Sequence, residues 1–224
     1  MTLNIFAFFH LNLMFSSIPE ERRPEVIARA YWPLLDLPRR IGAPIGIEAT
    51  GLTLELIRDI DPDWIAVLRD RIAEGRVEFI GSGYAQLIGP LVPAQVVARN
   101  LQLGNKTYGE LLGTQPALAL VNEQAYSGGL VPHYRSADYR ALLMDWDNLA
   151  PHHPDWPAET RFKPRLALGS DGQSLPVLWT QTLTFQRLQR YAHGEISIGE
   201  YLDTVLSFRA EAPRHLCIYS NDAE

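Results

Sequence analysis

The amino-acid sequence predicts an α/β fold, a (β/α)7 barrel-like domain with predominantly parallel strands. Short apolar runs alternate with longer amphipathic stretches, which is the pattern of β/α units. Seven of these runs have the length and composition of strands. The glycine spacing of a dinucleotide-binding sheet is missing, because the segment 81–84 continues as Ala-Gln-Leu-Ile-Gly. This absence favours a closed barrel over an open doubly wound sheet.

The predicted elements follow one another along the whole chain. The opening run 3–9 lacks the basic segment and small-residue cleavage site of a signal peptide, so it predicts a strand. Asp61 and Pro62 are typical of a helix start, and Gly75 and Gly113 are typical of helix ends. The predicted strands are 3–9, 45–48, 77–80, 117–121, 141–144, 175–179 and 216–219. The predicted helices are 21–40, 53–60, 62–74, 93–112, 129–137 and 198–212.

Composition and charge limit the function classes. The chain has 224 residues, of which 46% are hydrophobic and 21% charged, so we expect one globular domain over 1–224. The net charge is −6 and there is no basic run, so nucleic acid is not expected as a partner. Cys217 is the only cysteine, which excludes an intramolecular disulfide and suits a reducing compartment. No apolar run reaches the roughly 20 residues of a membrane span. We therefore expect a cytoplasmic protein without a membrane partner, and the sequence leaves its oligomeric state open.

The segment 148–164 departs from this alternation. It contains four prolines, with His152, His153 and Trp156 among them. A connection of this length after a strand end is usually structured and functional. We expect it to lie over the site and to present Trp156 or His152 toward it.

Polar residues follow every predicted strand. In a β/α barrel, functional groups project from the carboxyl ends of the strands, and right-handed crossovers place these ends at one rim. The seven ends therefore predict one polar cleft with several carboxylates. In chain order they carry His10-Leu11-Asn12, Glu48, Gly81-Ser82-Gly83-Tyr84, Asn122-Glu123-Gln124, Asp145-Trp146-Asp147-Asn148, Thr180-Gln181 and Ser220-Asn221-Asp222.

Each acid at these ends also has a purely structural interpretation. Glu48 and Asp222 can cap a following helix, and so can Asp145 or Asp147. Glu123 can be a solvated or ion-paired loop acid, because glutamate is usually exposed. Both interpretations stay open for each of these acids.

Serine, cysteine and metal chemistry have weaker signals than carboxylate chemistry. The chain has no Gly-x-Ser-x-Gly segment, and Cys217 falls in a predicted buried strand. His10 and Asn12 share one side of an extended chain, but no compact cluster supplies a third ligand. A hydrogen-bonding role for His10 is therefore favoured, and no metal is expected. The remaining possibility is carboxylate chemistry, in which one ionised carboxylate attacks the substrate and one protonated carboxylic acid donates a proton.

Six segments at or near the strand ends carry a family likeness. They are His10-Leu11-Asn12 and the segments 46–51, 78–84, 91–93, 122–126 and 220–224. In this order, over nearly the whole chain, they resemble the catalytic region of glycoside hydrolase family 57, the retaining α-glucan enzymes with a barrel of seven β/α units. The resemblance implies that Glu123 is the nucleophile and Asp222 the general acid/base, that His10 and Glu48 face the donor sugar, and that no cofactor is needed.

The chain departs from the family pattern in three ways. The first motif is usually His-Gln-Pro, but here it ends in Leu11-Asn12. Val121-Asn122 precedes the glutamate, where the family often has Trp and Pro. A helical region normally follows the family's barrel and is not present in this chain, so we expect a C-terminally truncated piece of a longer enzyme or a minimal relative.

The function favoured at this point is a retaining hydrolase or transglycosylase acting on an α-linked oligo- or polysaccharide. A non-catalytic carbohydrate-binding barrel is one alternative. A metal-dependent polysaccharide deacetylase, which needs an Asp and two His ligands, is another. Aromatic rings would stack on the sugar faces. The expected substrate-binding residues are His10, Asn12, Glu48, Tyr84, Tyr126, Asp145, Trp146, Asp147, Trp156, Trp179 and Gln181.

Overall fold

The computed structural model describes residues 2–219 and 223 in full and the backbone of Ser220. No helix in this part of the chain is both long and apolar enough to cross a membrane. The strands are β1 (Leu3–Leu11), β2 (Ile45–Ala49), β3 (Val77–Ile80), β4 (Leu118–Leu120), β5 (Ala141–Asp145), β6 (Arg165–Leu168), β7 (Ser174–Thr180) and β8 (Arg214–Ser220). The α-helices are α1 (Arg23–Val26), α2 (Trp32–Ile41), α3 (Gly51–Ile60), α4 (Pro62–Ala73), α5 (Ala94–Leu112), α6 (Val131–Ser136), α7 (Trp146–Leu149), α8 (Thr182–Ala192) and α9 (Ile198–Leu206).

Seven of the strands form a parallel barrel. Their order is β3-β2-β1-β8-β7-β5-β4, and a parallel bridge between Gly81 and Ala119 joins the two ends of this order. At this bridge the Gly81 N–H donates to the Leu118 carbonyl (3.0 Å), and the Leu120 N–H donates to the Gly81 carbonyl (2.8 Å). The sheet therefore curls into a ring, which confirms the predicted fold class. Strand β6 lies outside the ring and pairs antiparallel with β7.

The predicted strands are all present, and their ends lie within two residues of the prediction. The sequence prediction misses β6 and α8. It also extends the helix that starts at 198 too far, because α9 ends at Leu206, and the Arg214 guanidinium binds the Phe208 carbonyl (2.8 Å) where the chain turns into β8. The predicted helix 21–40 is interrupted by a π-helical turn at Ile27–Tyr31, between α1 and α2.

The barrel interior is apolar below its carboxyl end. A buried layer of inward-facing side chains, which we call the central layer, consists of Phe8, Ile80, Leu120, Leu143 and Tyr219. The rings of Phe8 and Tyr219 stack at a centroid distance of 4.8 Å. Side chains on the outer face of the strands pack against the helices in larger clusters. At the level of the central layer the barrel wall is therefore packed on both faces, as is usual for parallel sheets.

A buried tyrosine holds the ends of β2 and β3 together. Tyr108 of α5 is fully buried, and its hydroxyl lies 2.7 Å from the Gly83 carbonyl and 3.0 Å from the Ala49 carbonyl. The Ser82 N–H donates to the same hydroxyl (3.2 Å). Burial raises the pKa of Tyr108, so the hydroxyl stays protonated and can donate. One side chain thus fixes two adjacent strand ends of the rim.

Substituting Tyr108→Phe should lower the free energy of unfolding by about 1–3 kcal/mol, because buried backbone groups lose their partner. Urea denaturation measures the change. Tyr191→Phe, at an exposed tyrosine of α8, is the matched control and should leave stability unchanged. Equal stability of the two variants would contradict the role assigned to the Tyr108 hydroxyl.

Candidate functional site

The inner face of the barrel becomes polar where the strands end. Immediately beyond the central layer, the residues at the strand ends are His10, Glu48, Ser82, Asn122 and Asp145, and all five are buried. The ends of parallel strands in a closed barrel share one rim. The structure therefore gathers polar side chains from β1 to β5 in a single region, which we call the rim.

A buried pair joins the first two strands at the rim. His10 and Glu48 are register partners in the β1–β2 ladder, and His10 Nδ1 hydrogen-bonds Glu48 Oε2. The second carboxylate oxygen of Glu48, Oε1, is buried and has no hydrogen-bond partner in the described part of the chain. A buried acceptor of this kind usually binds a water molecule or a ligand group.

Glu123 occupies an unusual backbone conformation after β4. Its φ is 53° and its ψ 17°, and the next residue, Gln124, has a φ of 54°. Left-handed conformation costs about 1–2 kcal/mol for each residue with a Cβ atom. Two such residues in succession persist only where their surroundings hold them, and strained backbone of this kind is concentrated at functional sites.

Side-chain hydrogen bonds hold this turn in place from both sides. The Asn122 amide donates to the Ser82 carbonyl beyond β3 (2.9 Å), and the Gln124 side-chain oxygen accepts from the Asp145 N–H of β5 (2.7 Å). Between them, the exposed Glu123 carboxylate accepts a hydrogen bond from the Gln86 side chain (2.6 Å). The neighbouring strand ends thus fix the position of one exposed carboxylate at the rim.

Asp145 and Asp147 tie β5 to the start of α8. Asp145 accepts from the Asn148 N–H and, through its other oxygen, from the Thr182 N–H, both at 3.0 Å. Asp147 accepts from the Leu183 N–H at 2.8 Å. Burial raises the pKa of Asp147, and the Leu183 N–H opposes that shift. Both acids therefore have the capping contacts that their structural interpretation predicts.

Three tryptophans predicted for substrate binding form one cluster. The ring centroids of Trp146, Trp156 and Trp179 are 5.6–6.0 Å apart in all three pairs. His153 stacks on Trp156 at 4.0 Å, and Trp156 remains 37% exposed. The segment 148–164 is thus anchored to the barrel wall through Trp156, and the exposed ring face lies at the edge of this cluster.

The remaining predicted residues have varied surroundings. The Tyr84 hydroxyl donates to Glu55 of α3 (2.9 Å), and this hydrogen bond raises the pKa of Tyr84. The Tyr126 hydroxyl donates to the Leu168 carbonyl (3.1 Å). The Gln181 side chain is buried, and its nitrogen has no partner among the described residues.

Asn12 and Asp222 complete the predicted set. The Asn12 carbonyl accepts from the Phe15 and Ser16 N–H groups (3.0 and 2.8 Å) in the turn after β1. Asp222 lies outside the described residues. Among the described residues, no three His, Cys, Asp or Glu side chains are grouped closely enough to hold a metal ion.

Two further residues contribute to the rim, and the sequence prediction missed one of them, Gln86. Gln86, five residues beyond the bridge residue Gly81, is the hydrogen-bond donor to Glu123. Ser82 supplies the carbonyl that binds Asn122, and its own buried hydroxyl has no partner among the described residues. Ser82 belongs to the strand-end segment 81–84 that the sequence placed at the rim, whereas Gln86 lies outside every predicted motif, so only the folded chain reveals its contact.

Comparisons with known proteins agree with this architecture. The sequence model of glycosyl hydrolase family 57 matches residues 12–182. The chain belongs to this family. The matched segment begins directly after β1 and covers β2 to β7, and with them Glu48, the Glu123 turn and Asp145.

Individual relatives are distant and longer. An α-amylase from Pyrococcus furiosus is 21% identical over 122 residues, 54% of this chain and 19% of its own length. The crystal structure of a 4-α-glucanotransferase from Thermococcus litoralis superposes with a TM-score of 0.79 at 19% identity, over 100% of this chain and 34% of that one. A family 57 branching enzyme from Thermococcus kodakaraensis gives a TM-score of 0.66 at 14% identity, over 100% of this chain and 64% of the other. This chain thus spans about a fifth to two thirds of these relatives.

Substituting Asp145→Ala should lower the free energy of unfolding by about 2–3 kcal/mol, because two backbone N–H groups lose a buried acceptor. Chemical denaturation measures this, and hydrogen exchange should show faster exchange at the start of α8. Asp155→Ala is the control, since Asp155 is exposed and accepts no hydrogen bond from a described residue. A stability loss no larger than that of the control would remove the structural role of Asp145.

Proposed function

We propose that this chain carries the catalytic barrel of a retaining enzyme that hydrolyses or transfers α-linked glucan. Family membership and the polar rim support this reading. The relatives named above are an α-amylase, a 4-α-glucanotransferase and a family 57 branching enzyme. The substrate is accordingly an oligo- or polysaccharide of α-linked glucose.

The placement of Glu123 carries the proposal. It is an exposed carboxylate at the rim, on strained backbone, and it accepts a hydrogen bond from the Gln86 amide. A nucleophile needs an accessible oxygen and a fixed position, and the left-handed turn supplies both. A solvated loop acid would need neither the strained backbone nor the hydrogen bonds that join the side chains of Asn122 and Gln124 to Ser82 and Asp145.

The proposed reaction has two steps. In the first, a Glu123 oxygen attacks the anomeric carbon, the bond to the leaving sugar oxygen breaks, and Asp222 donates its proton to that oxygen. In the second, Asp222 takes a proton from water or an acceptor sugar, whose oxygen attacks the anomeric carbon and releases Glu123. Hydrolysis and transfer differ only in the acceptor.

A backbone contact next to Asp222 supports its assignment. The Ala223 N–H donates to the His10 carbonyl (2.9 Å) at the end of β1. The residue that follows Asp222 is therefore beside the rim. With His10 and Glu48 buried in the neighbouring strand ends, the donor sugar would bind among β1, β2 and β4.

The other predicted residues would contribute sugar contacts of two kinds. The exposed face of Trp156, and the rings of Tyr84 and Tyr126, would stack on sugar faces beside the rim. The unpartnered oxygen of Glu48 and amide nitrogen of Gln181 would hydrogen-bond sugar hydroxyls. Asp145 and Asp147 would act by positioning α8 rather than by touching the glycan.

Substituting Glu123→Gln should abolish turnover of 4-nitrophenyl α-glucoside, because the neutral amide cannot form the glycosyl-enzyme. Release of nitrophenol measures turnover. Glu110→Gln, at an exposed glutamate of α5 that pairs with Lys106, should keep full activity. Full activity in Glu123→Gln would exclude this nucleophile and favour the carbohydrate-binding barrel.

Substituting Asp222→Ala should leave the first step with an activated glucoside largely intact and slow the second, because no base activates water. Azide needs no base, so adding it should restore turnover and yield the α-glucosyl azide. Product configuration is read by nuclear magnetic resonance. A β-azide, or no rescue by azide, would argue against a covalent intermediate.

A further inference from the structure

A cavity lies inside the barrel, at the end opposite the rim. Its volume is about 470 Å³, within the range of about 300–1,000 Å³ that is usual for small-molecule sites. Its lining comes from all seven strands of the barrel and from the segment 161–164. The inward-facing apolar side chains in this lining include Phe6, Phe8, Ile80, Leu118, Leu143 and Leu178.

The cavity exists because the barrel wall is incomplete between β7 and β8. Their ladder contains one register pair, Thr180↔Cys217, whereas β8 pairs with β1 over seven residues. A 3-10 helix, Ala158–Phe162, contacts both strands beside this gap. Phe162 is buried, and the Arg214 guanidinium lies 4.6 Å from its ring centroid. The segment that covers the gap also supplies part of the cavity lining.

Two cations from this segment line the cavity without an acid partner. Arg161 and Lys163 form no ion pair with any described residue, and the buried Nε atom of Arg161 has no hydrogen-bond partner there. The Arg161 guanidinium rests 5.0 Å from the Phe162 ring centroid. Glu78 is the acid in the lining. The positive charge of Arg161 acts to lower the pKa of Asp147, but the two side chains form no ion pair. Cations therefore outnumber acids in the lining by two to one.

The other polar groups of the lining carry no charge that opposes an anion: they are His215, Cys217 and the Trp179 indole N–H, which is buried and has no partner among the described residues. His215 is exposed, and its Nδ1 lies 3.4 Å from the Asn4 side-chain nitrogen. Burial raises the pKa of the Cys217 thiol to about 12, so it stays neutral. The cavity is thus apolar in its walls and cationic on the side of the covering segment.

The central layer separates this cavity from the rim. Phe8, Ile80 and Leu143 belong both to that layer and to the cavity lining. His10, Glu48, Ser82, Asn122 and Asp145 do not line the cavity. A sugar would leave its hydroxyl groups unpaired against these walls, which is costly. The occupant therefore differs chemically from the substrate of the rim.

We propose that the cavity binds an amphiphile with one anionic head group and an apolar chain, of the size of a medium-chain carboxylate. The carboxylate binds Arg161 and Lys163, and the chain lies against Phe8, Leu143 and Leu178. Burial of the chain supplies most of the binding free energy, because it removes apolar surface from water. The two cations select the head group.

Decanoate, titrated by calorimetry below its micelle-forming concentration, is the test ligand. Saturable binding at one site per chain is expected, and decanol, which lacks the charge, should bind about tenfold more weakly. Arg161→Gln and Lys163→Gln should each weaken decanoate binding by a similar factor. Lys106→Gln, at the other lysine of the chain, should bind like the unmodified protein. Equal binding of decanoate and decanol, or no saturable binding, would overturn the proposal.

A substitution that fills the cavity tests whether decanoate binds inside it. Leu178→Trp should abolish decanoate binding, whereas Leu166→Trp, at a leucine that is 67% exposed on β6, should not. Unchanged decanoate binding in Leu178→Trp would overturn the assignment. Should that variant fail to fold, modification of Cys217 by methyl methanethiosulfonate gives the answer in the unmodified protein. Bound decanoate should slow the reaction several-fold, and an unchanged rate would overturn the proposal.

Discussion

Parallel pairing between the first strand and the last holds the barrel together. Strands β1 and β8 share a ladder from Leu3↔Arg214 to Phe9↔Ser220, so the two halves of the sheet meet through segments about 210 residues apart in sequence. Without this ladder, β2 and β3 would be separated from β4, β5 and β7 on that side. Such distant contacts cost loop-closure entropy before they stabilise the fold. Both the rim and the cavity at the opposite end of the barrel depend on the closure of this ring.

The two ends of the barrel use the same wall for different chemistry. Inward-facing positions alternate with outward-facing ones, and the central layer of Phe8, Ile80, Leu120, Leu143 and Tyr219 divides the interior. Toward the carboxyl ends the strands carry buried polar groups, which hydrogen-bond one another or retain an open acceptor. Toward the amino ends the wall stays apolar, and the incomplete β7–β8 ladder leaves space. One layer of side chains thus makes two separate binding environments.

Strain and hydrogen bonding are combined in the turn after β4. Left-handed residues at Glu123 and Gln124 would relax in an isolated peptide, because each costs free energy. Here the Asn122 and Gln124 side chains bind groups at the ends of β3 and β5. The stability of the neighbouring strands therefore maintains the conformation that presents the Glu123 carboxylate. This coupling explains why an exposed acid can still have a defined position.

The sequence by itself determined the parallel barrel and the strand ends that form its rim, because apolar periodicity and the polar residues that follow each run are local signals. It also singled out Glu123, although neither its left-handed backbone nor its contact with Gln86 has a local signature. Only the tertiary structure decided where α8 begins. That helix has no local side-chain cap, and its first N–H groups are bound by Asp145 and Asp147, more than 30 residues earlier in the chain. Contacts between distant segments cannot be read from local periodicity, and for the same reason the gap between β7 and β8, and the cavity beside it, became visible only in the folded chain.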